Sequence, residues 1–364
     1  MPSVSRSSTW ARGRGPAPWP DVQRHTAIAL VIGLAATVAA VIYAGAGAVA
    51  QAIATLHLSG LLVLVLLHLP SVVLMGLAWR LASGSDPPAS QSRFVWARFV
   101  RDAAGELLPF LQLGGIVFGL RALGRGRTIA VGAVSASVDG VVELAAKLPY
   151  TLATLHTLLA LAPQSRLARL LSLAVAATGV FVAVVLLARR SLSASLQGMA
   201  RAVSERWPAV LSLDDGPDGW DIQACLHSIM SQRGRLWSAF ALHLCCWCVG
   251  AAEAWVTFRL LGVDLTLWQA LAVDGTVVGL RMFGWLVPAA AGVQEASYML
   301  AAAVFGISPA AALAASLARR ARDLVLGVGT MGIAAVGDAN FASLTLSLLK
   351  LRQRPAERSR PMNE

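Results

Sequence analysis

The sequence predicts an all-α integral membrane bundle, with about six full spans and two re-entrant hairpins arranged as an inverted repeat. Three observations predict it. The chain is 57% hydrophobic and 13% charged, whereas an ordinary soluble domain carries about 25% charged residues. Apolar runs of about 20 residues or more, the length a spanning helix needs, recur along the whole chain. Arginine clusters separate those runs, as the positive-inside bias requires. This composition argues against a soluble globular enzyme and against a disordered chain, which needs low hydrophobicity.

The net charge is +11, and the only lysines among the 30 basic residues are Lys147 and Lys350. Because the arginines sit mainly between apolar runs, the basic balance reads as topology and not as nucleic-acid binding.

Residues 1–25 are rich in Arg, Ser, Pro and Gly and read as a disordered basic N-terminus. Thr26–Gly47 is the first span. Ala48-Val49-Ala50 resembles a signal-peptide cleavage site, but the preceding run exceeds the ~7–15 apolar residues of a signal sequence. Leu56–Leu81 is the second span, and the connector before it is uncharged. Arg6, Arg12, Arg14 and Arg24 place the N-terminus in the cytoplasm. Arg80, Arg93, Arg98 and Arg101 mark the next inside segment.

Phe94–Leu120 is apolar but broken near its middle by Pro109 and by Gly114-Gly115. Basic residues bound it on both sides, so both ends belong to one side of the membrane. That pattern reads as a re-entrant hairpin, whose irregular backbone must be buried in protein or line a wet cavity. Thr128–Ala162 follows, with a kink expected at Pro149, and Leu167–Ala188 returns to Arg189-Arg190. Residues 189–235 read as a cytoplasmic loop, with an interfacial amphipathic helix over parts of 192–210. Its acidic patch of Asp214, Asp215, Asp218 and Asp221 lacks the EF-hand pattern and reads as solvated. Leu236–Gly262 runs outward. Leu265–Phe305 is a second broken stretch, interrupted at Pro288 and Gly292, and Pro309–Leu349 is the last span. The basic residues of 350–364 keep the C-terminus in the cytoplasm, so the transmembrane domain covers 26–349. Each half is then span, span, hairpin, span, and the halves run in opposite directions. Many transporters with this plan hold their binding site at the midplane, beside broken helices.

Ionisable side chains at mid-bilayer cost about 2.5–3.5 kcal/mol each, so those inside the runs are informative. Asp139, Glu143 and Lys147 recur every four residues, on one helix face. Glu143 is set to pair with Lys147, which leaves Asp139 needing a partner. On the last span Arg319 is set to pair with Asp323, leaving the guanidiniums of Arg320 and Arg322. Glu295 follows Gly292, and Glu106 precedes Pro109. Together these residues predict a hydrated interior that passes a polar or anionic head group while its apolar tail stays in lipid. Arginine suits phosphate through its planar fork of donors. Interior ion pairs that only fix helix register are the competing reading.

Weaker features read as packing. His57 and His68 fall on one face of the second span as packing histidines. Cys225, Cys245, Cys246 and Cys248 read as small buried apolar residues. Trp79, Trp96, Trp237 and Trp268 read as an interfacial aromatic belt. No GxSxG, HExxH, Walker or kinase motif is present, so the sequence points to no catalytic residue, cofactor or metal.

Gly292-Val293-Gln294-Glu295, Tyr298, Gly306, Ser316-Leu317 and Arg319-Arg320-x-Arg322-Asp323-Leu324 together resemble the C-terminal signature of flippase-like membrane proteins. These share the transmembrane region of lysylphosphatidylglycerol synthases. Leu108-Pro109-Phe110-Leu111-Gln112-Leu113-Gly114-Gly115, with Arg121, Asp139 and Glu143, resembles one branch, the hopanoid-biosynthesis-associated membrane protein HpnL. The resemblance covers roughly residues 25–345. Two positions depart from it: Ala289-Ala290-Ala291 stands where the family is Gly-rich, and Ile116 where an acid is typical. The aminoacyl-transfer domain of the synthases is not in this chain, so lysine transfer is not expected.

The resemblance implies an inner-membrane lipid transporter or flippase-like protein linked to hopanoids or an anionic phospholipid, with hopanoid-pathway enzymes as partners. The alternatives are a membrane-embedded enzyme that modifies an isoprenoid or lipid head group, with Asp139 and Glu143 for acid–base work, and a scaffold for hopanoid enzymes.

Overall fold

The computed structural model describes residues 35, 37–107, 111–124, 127–187, 222–281 and 292–337. Among them every regular element is a helix. The order is α1 (Ala46–Leu81), α2 (Gln91–Leu107), α3 (Leu111–Leu123), α4 (Arg127–Leu161), α5 (Arg166–Leu187), α6 (Ile222–Ser231), α7 (Arg233–Leu260), α8 (Leu267–Leu280), α9 (Val293–Val304) and α10 (Pro309–Gly337). Helical residues 37–44 precede α1 and belong to the expected first span, most of which lies outside the described residues. So do Pro109, Pro288, Ala289-Ala290-Ala291, the acidic patch, the 192–210 segment and both terminal segments.

Among the described residues, three helices are long and apolar enough to cross a membrane: α1, α7 and most of α5. The chain is a multi-pass membrane protein. Helices α4 and α10 have 35 and 29 residues, about 52 and 43 Å at 1.5 Å per residue. They have the length to span. They are less apolar because they carry the interior charges, Asp139, Glu143 and Lys147 on α4 and Arg319, Arg320, Arg322 and Asp323 on α10.

Phe94–Leu120 forms a helical hairpin. Helix α2 lies against α3 so closely that a Cβ on Gly115 would sit 2.4 Å from the Arg101 carbonyl oxygen, and one on Gly119 2.8 Å from Arg101 Cβ. Positions 97–105 of one arm thus meet 115–119 of the other in reverse order. The arms have 17 and 13 residues, about 25 and 20 Å, short of the ~30 Å hydrocarbon core. Helix α2 ends at Leu107 and α3 begins at Leu111; the expected break at Pro109 lies outside the described residues, and Gly114 and Gly115 lie inside α3. There Gly115 serves close approach, because any side chain would strike the opposing backbone. Helices α8 and α9 form the second packed pair. Gly292 precedes α9 with φ 78°, a left-handed conformation suited to glycine.

Packing repeats between the halves. Helix α1 packs on α2 and α10, as α7 packs on α8 and α4; α2 packs on α10 as α8 packs on α4; α3 meets α4 as α9 meets α10. The two second spans, α1 and α7, pack on each other and run antiparallel. Gly60 faces Leu260, His68 faces Glu253, and Ser71 faces Cys246. This is the contact pattern of an inverted repeat in which each half hands its hairpin to the other half's last span. Small residues permit the approach: α10 buries Ala311, Ala312, Ala314, Ala315, Ser316 and Ala318, as membrane helix interfaces favour.

Three local expectations are corrected. The chain is helical from Ile222 to Ser231 and again from Arg233, within the stretch read as loop to 235. Leu226 and Ile229 of α6 bury against Val134 and Val138 of α4, which explains the helix. Trp79 is fully buried instead of interfacial: its ring meets Phe94 edge-on, and its indole N–H donates to Ser135 Oγ at 3.0 Å. Of the cysteines, Cys246 alone is buried, while Cys245 and Cys248 face outward on a span whose outer face meets lipid.

Candidate functional site: a polar seam between the hairpins

Each expected interior charge except Asp323 finds a partner outside its own helix. The long arginine side chains reach across interfaces, so the two intrahelical pairs expected from spacing do not form. Arg319 instead bonds Asp274 of α8 at 2.6 Å and reaches the Tyr298 hydroxyl at 3.3 Å. Asp274 is fully buried and also accepts from the Tyr150 hydroxyl at 2.7 Å. A buried carboxylate without compensation is costly, so Asp274 takes the arginine that Asp323 was expected to hold. Asp323 accepts from its neighbour Arg322 at 2.7 and 3.0 Å.

Arg320 grips Glu295 through Nε and Nη2, the second contact at 3.1 Å. Glu295 is fully buried, and its other duty is local. Its Oε2 accepts the Gly292 N–H at 2.8 Å, satisfying a free donor at the start of α9. The carboxylate therefore caps its own helix and holds the last span as well. Arg322 pairs with Glu253 of α7, and the same carboxylate meets His68 Nδ1 at 2.8 Å. His68 is thus a polar partner across the α1–α7 interface, not a packing residue. His57 lies at a break in α1, with φ 51°, so the two histidines do not share one continuous helical face.

In the first half the charges are exchanged. The cation sits on the hairpin arm and the acids on the following span, whereas the second half has Asp274 on the arm and Arg319 on the span. Arg98 of α2 bonds Asp102 at 2.9 Å and Glu143 at 3.3 Å and lies 3.6 Å from Asp139. Asp139 is fully buried. Its Oδ1 meets His243 Nε2 at 2.9 Å, and its Oδ2 lies 3.5 Å from Arg101. Lys147, expected to pair with Glu143, holds its ammonium 4.9 Å above the Trp247 ring, a cation–π contact. Asp139, Glu143 and His243 bring ligand atoms within 4.8 Å of one another, close enough for a shared metal ion. Arg98 reaches both acids, so a guanidinium already supplies a cation there.

The hairpin tips meet. Glu106, at the end of α2, accepts from Arg281, immediately after α8, at 3.3 Å. Arg281 also donates to Gln294 at 3.0 Å, and Gln294 donates to the Ser316 carbonyl at 3.2 Å. Here the seam opens. The Arg281 and Glu106 side chains are 25% and 32% exposed and Arg320 is 21% exposed, whereas Arg322 is 4% exposed. The structure thus lines up along α10 Arg319 with Asp274, Arg320 with Glu295, and Arg322 with Glu253 and Asp323, and places Asp139 and Glu143 in a separate group around Arg98. Glu106 and Arg281 stand at the junction of the two hairpins.

Sequence reading missed Glu253, Asp274, Arg98 and His243. Glu253 and Asp274 carried the signal that singled out Glu295, an isolated acid inside an apolar run. Arg98 was absorbed into the topology argument.

The sequence profile of the lysylphosphatidylglycerol synthase TM region matches residues 27–329. No curated protein and no solved structure matches the chain.

Proposed function

The chain belongs to the lysylphosphatidylglycerol synthase TM region family, and from that premise we propose that it carries lipids between leaflets as a flippase-like protein. It is an integral membrane protein of a family tied to lipid handling. The substrate we assign is a hopanoid or an anionic phospholipid, following the resemblance to the hopanoid branch. The proposal places the chain in the inner membrane with both termini cytoplasmic, and makes it a transporter rather than an enzyme.

The observation that carries this reading is the junction of the hairpin tips. Two arginines, Arg281 and Arg320, are partly open there, and each is held by a carboxylate that a phosphate can replace. A phosphate offers the same planar recognition to an arginine fork as a carboxylate does. A head group entering the seam would therefore exchange with Glu106 and Glu295 instead of meeting a free cation. Alternating access follows from rocking one half against the other about the α1–α7 contact. Arg319, Arg322 and Asp139, being more deeply buried, act as positioning residues.

The test is lipid translocation in proteoliposomes, with Arg320→Ala and Arg322→Ala compared with the parent. Arg320→Ala should slow translocation while the protein still folds. Arg322→Ala should act mainly through lost stability. An unchanged rate in Arg320→Ala at normal expression overturns the assignment. Loss of one modified lipid from a deletion strain, with leaflet distribution intact, would favour an enzyme instead.

A further inference from the structure

We propose that a groove between α1 and the first half of α2 is a phospholipid-binding site, which takes one acyl chain along its apolar walls and the phosphate at its polar end. The inference goes beyond the transport reading and rests on no part of it. None of the residues lining the groove takes part in the ion pairs of the seam.

The groove encloses about 660 Å³, and ligand sites run to about 300–1,000 Å³. Its walls are Val73 and Leu77 of α1 and Val95, Trp96 and Phe99 of α2; Ser90, Gln91 and Ser92 line one end. Ser92, Val95, Trp96 and Phe99 recur at helical spacing and share one face of α2. The two helices touch at Gly76, where a Cβ would stand 2.6 Å from Val95 Cα. The backbones meet at that glycine, and the larger side chains beside it wall the groove. Trp96 packs against the cluster of Val100, Ala104, Phe118 and Ala334, which fixes its wall in place.

Three observations select a phospholipid as the occupant. The lining is itself amphipathic, with five apolar side chains along one stretch and three polar ones at one end. From Ser92 to Phe99 it runs about 10 Å along the helix axis, so a head group and the upper part of a chain fit it in that order. Trp96 sits one turn below the polar end, as interfacial tryptophans do.

The apolar stretch is also continuous with the lipid-facing side of α1. Leu62, Leu66 and Val73 are 56%, 56% and 37% exposed, and their spacing of four and seven residues puts them on one helix face. In a membrane protein that face meets acyl chains, so the groove opens onto its ligand.

The polar end, finally, has the chemistry of a phosphate site. The Phe94 N–H reaches the Ser90 carbonyl at 3.2 Å, and the N–H groups of Gln91, Ser92 and Arg93 before it have no intrahelical acceptor. Such a helix start favours phosphate. The Ser90 and Ser92 hydroxyls stand 3.1 Å apart, and each can turn its proton to a phosphate oxygen. Arg93, exposed in the same turn, adds positive charge. The one acid of the connector before α2, Asp86, does not line the groove.

The test is native mass spectrometry of the full chain released from nanodiscs of phosphatidylcholine and phosphatidylglycerol. The parent should retain one phospholipid. Leu77→Trp, which fills the groove, should lower the retained fraction several-fold. Ser92→Asp should do the same by repelling the phosphate. An acid in the first turn favours the helix, so that loss would not come from unfolding of α2. Val328→Trp, at a position on α10 that is 63% exposed and outside the groove, should retain lipid as the parent does. A parent without retained phospholipid overturns the site, as does retention that is unchanged in Leu77→Trp and Ser92→Asp, or lost equally in Val328→Trp. A parent dimer that Leu77→Trp separates overturns it in favour of a second copy. Retention is read without any lipid movement, so a failed translocation assay leaves this site standing.

Discussion

Glu106 and Arg281 close a 3.3 Å ion pair between the ends of two hairpin arms that are 175 residues apart in sequence. Each arm packs on the other half's last span, α2 on α10 and α8 on α4, so this contact ties the two halves where both helices are interrupted. Its partial exposure lets it exchange with solvent or a head group, in contrast to the deeply buried Arg322–Glu253 pair.

Breaking the tip contact should change function more than stability. Partly exposed ion pairs contribute about 0–1 kcal/mol, so Glu106→Gln should shift the unfolding free energy by no more than that. Lipid movement in the same variant should change several-fold. Equal effects on both, measured by denaturant titration and translocation, would contradict the assignment of the tips to the transport path.

The buried pair should behave in the opposite way. Arg322→Ala takes the guanidinium from both Glu253 and Asp323, and breaking a buried pair in this way costs about 3–5 kcal/mol; Glu253→Gln should cost less, because Arg322 keeps Asp323. The double variant should cost clearly less than the sum. Strict additivity in a double-mutant cycle would show that the two side chains are not coupled.

Arg320→Lys separates charge from geometry. Arg320 uses two nitrogens on the two oxygens of Glu295, and lysine offers one ammonium. The variant should fold and retain translocation between that of the parent and that of Arg320→Ala. A rate equal to the parent's would mean that the fork is not used.

Gly275→Ala should disturb the packing of α8 on α4. A Cβ there would stand 1.8 Å from Thr154 Oγ1 and 2.9 Å from its Cβ. Overpacking of this kind costs about 1–3 kcal/mol. Thr154→Ala in the same chain should restore part of the loss, measured as a thermal midpoint.

Helix type and the membrane class were legible in the sequence, because a hydrocarbon solvent leaves the backbone few choices. The first hairpin was legible for the same reason: arginines at both ends of a broken apolar run demand that it return to its own side. The role of Gly115 was not, because it looks like a breaker in one dimension and turns out to serve close contact between the arms. Partner choice was the least legible. Spacing along one helix put Arg319 with Asp323 and Glu143 with Lys147, and neither pairing survives in three dimensions.

By itself the sequence determined that the chain lives in a bilayer, that it has two interrupted segments, and that charges too costly for lipid must face one another. Only the tertiary structure decided which charge meets which, that Asp274, Glu253 and His243 belong to the network, and that the two hairpin tips touch. The reason is range. Hydropathy and local spacing act over a few turns of one helix, whereas the pairing of buried charges is set by which helices lie side by side and how far an arginine can reach between them.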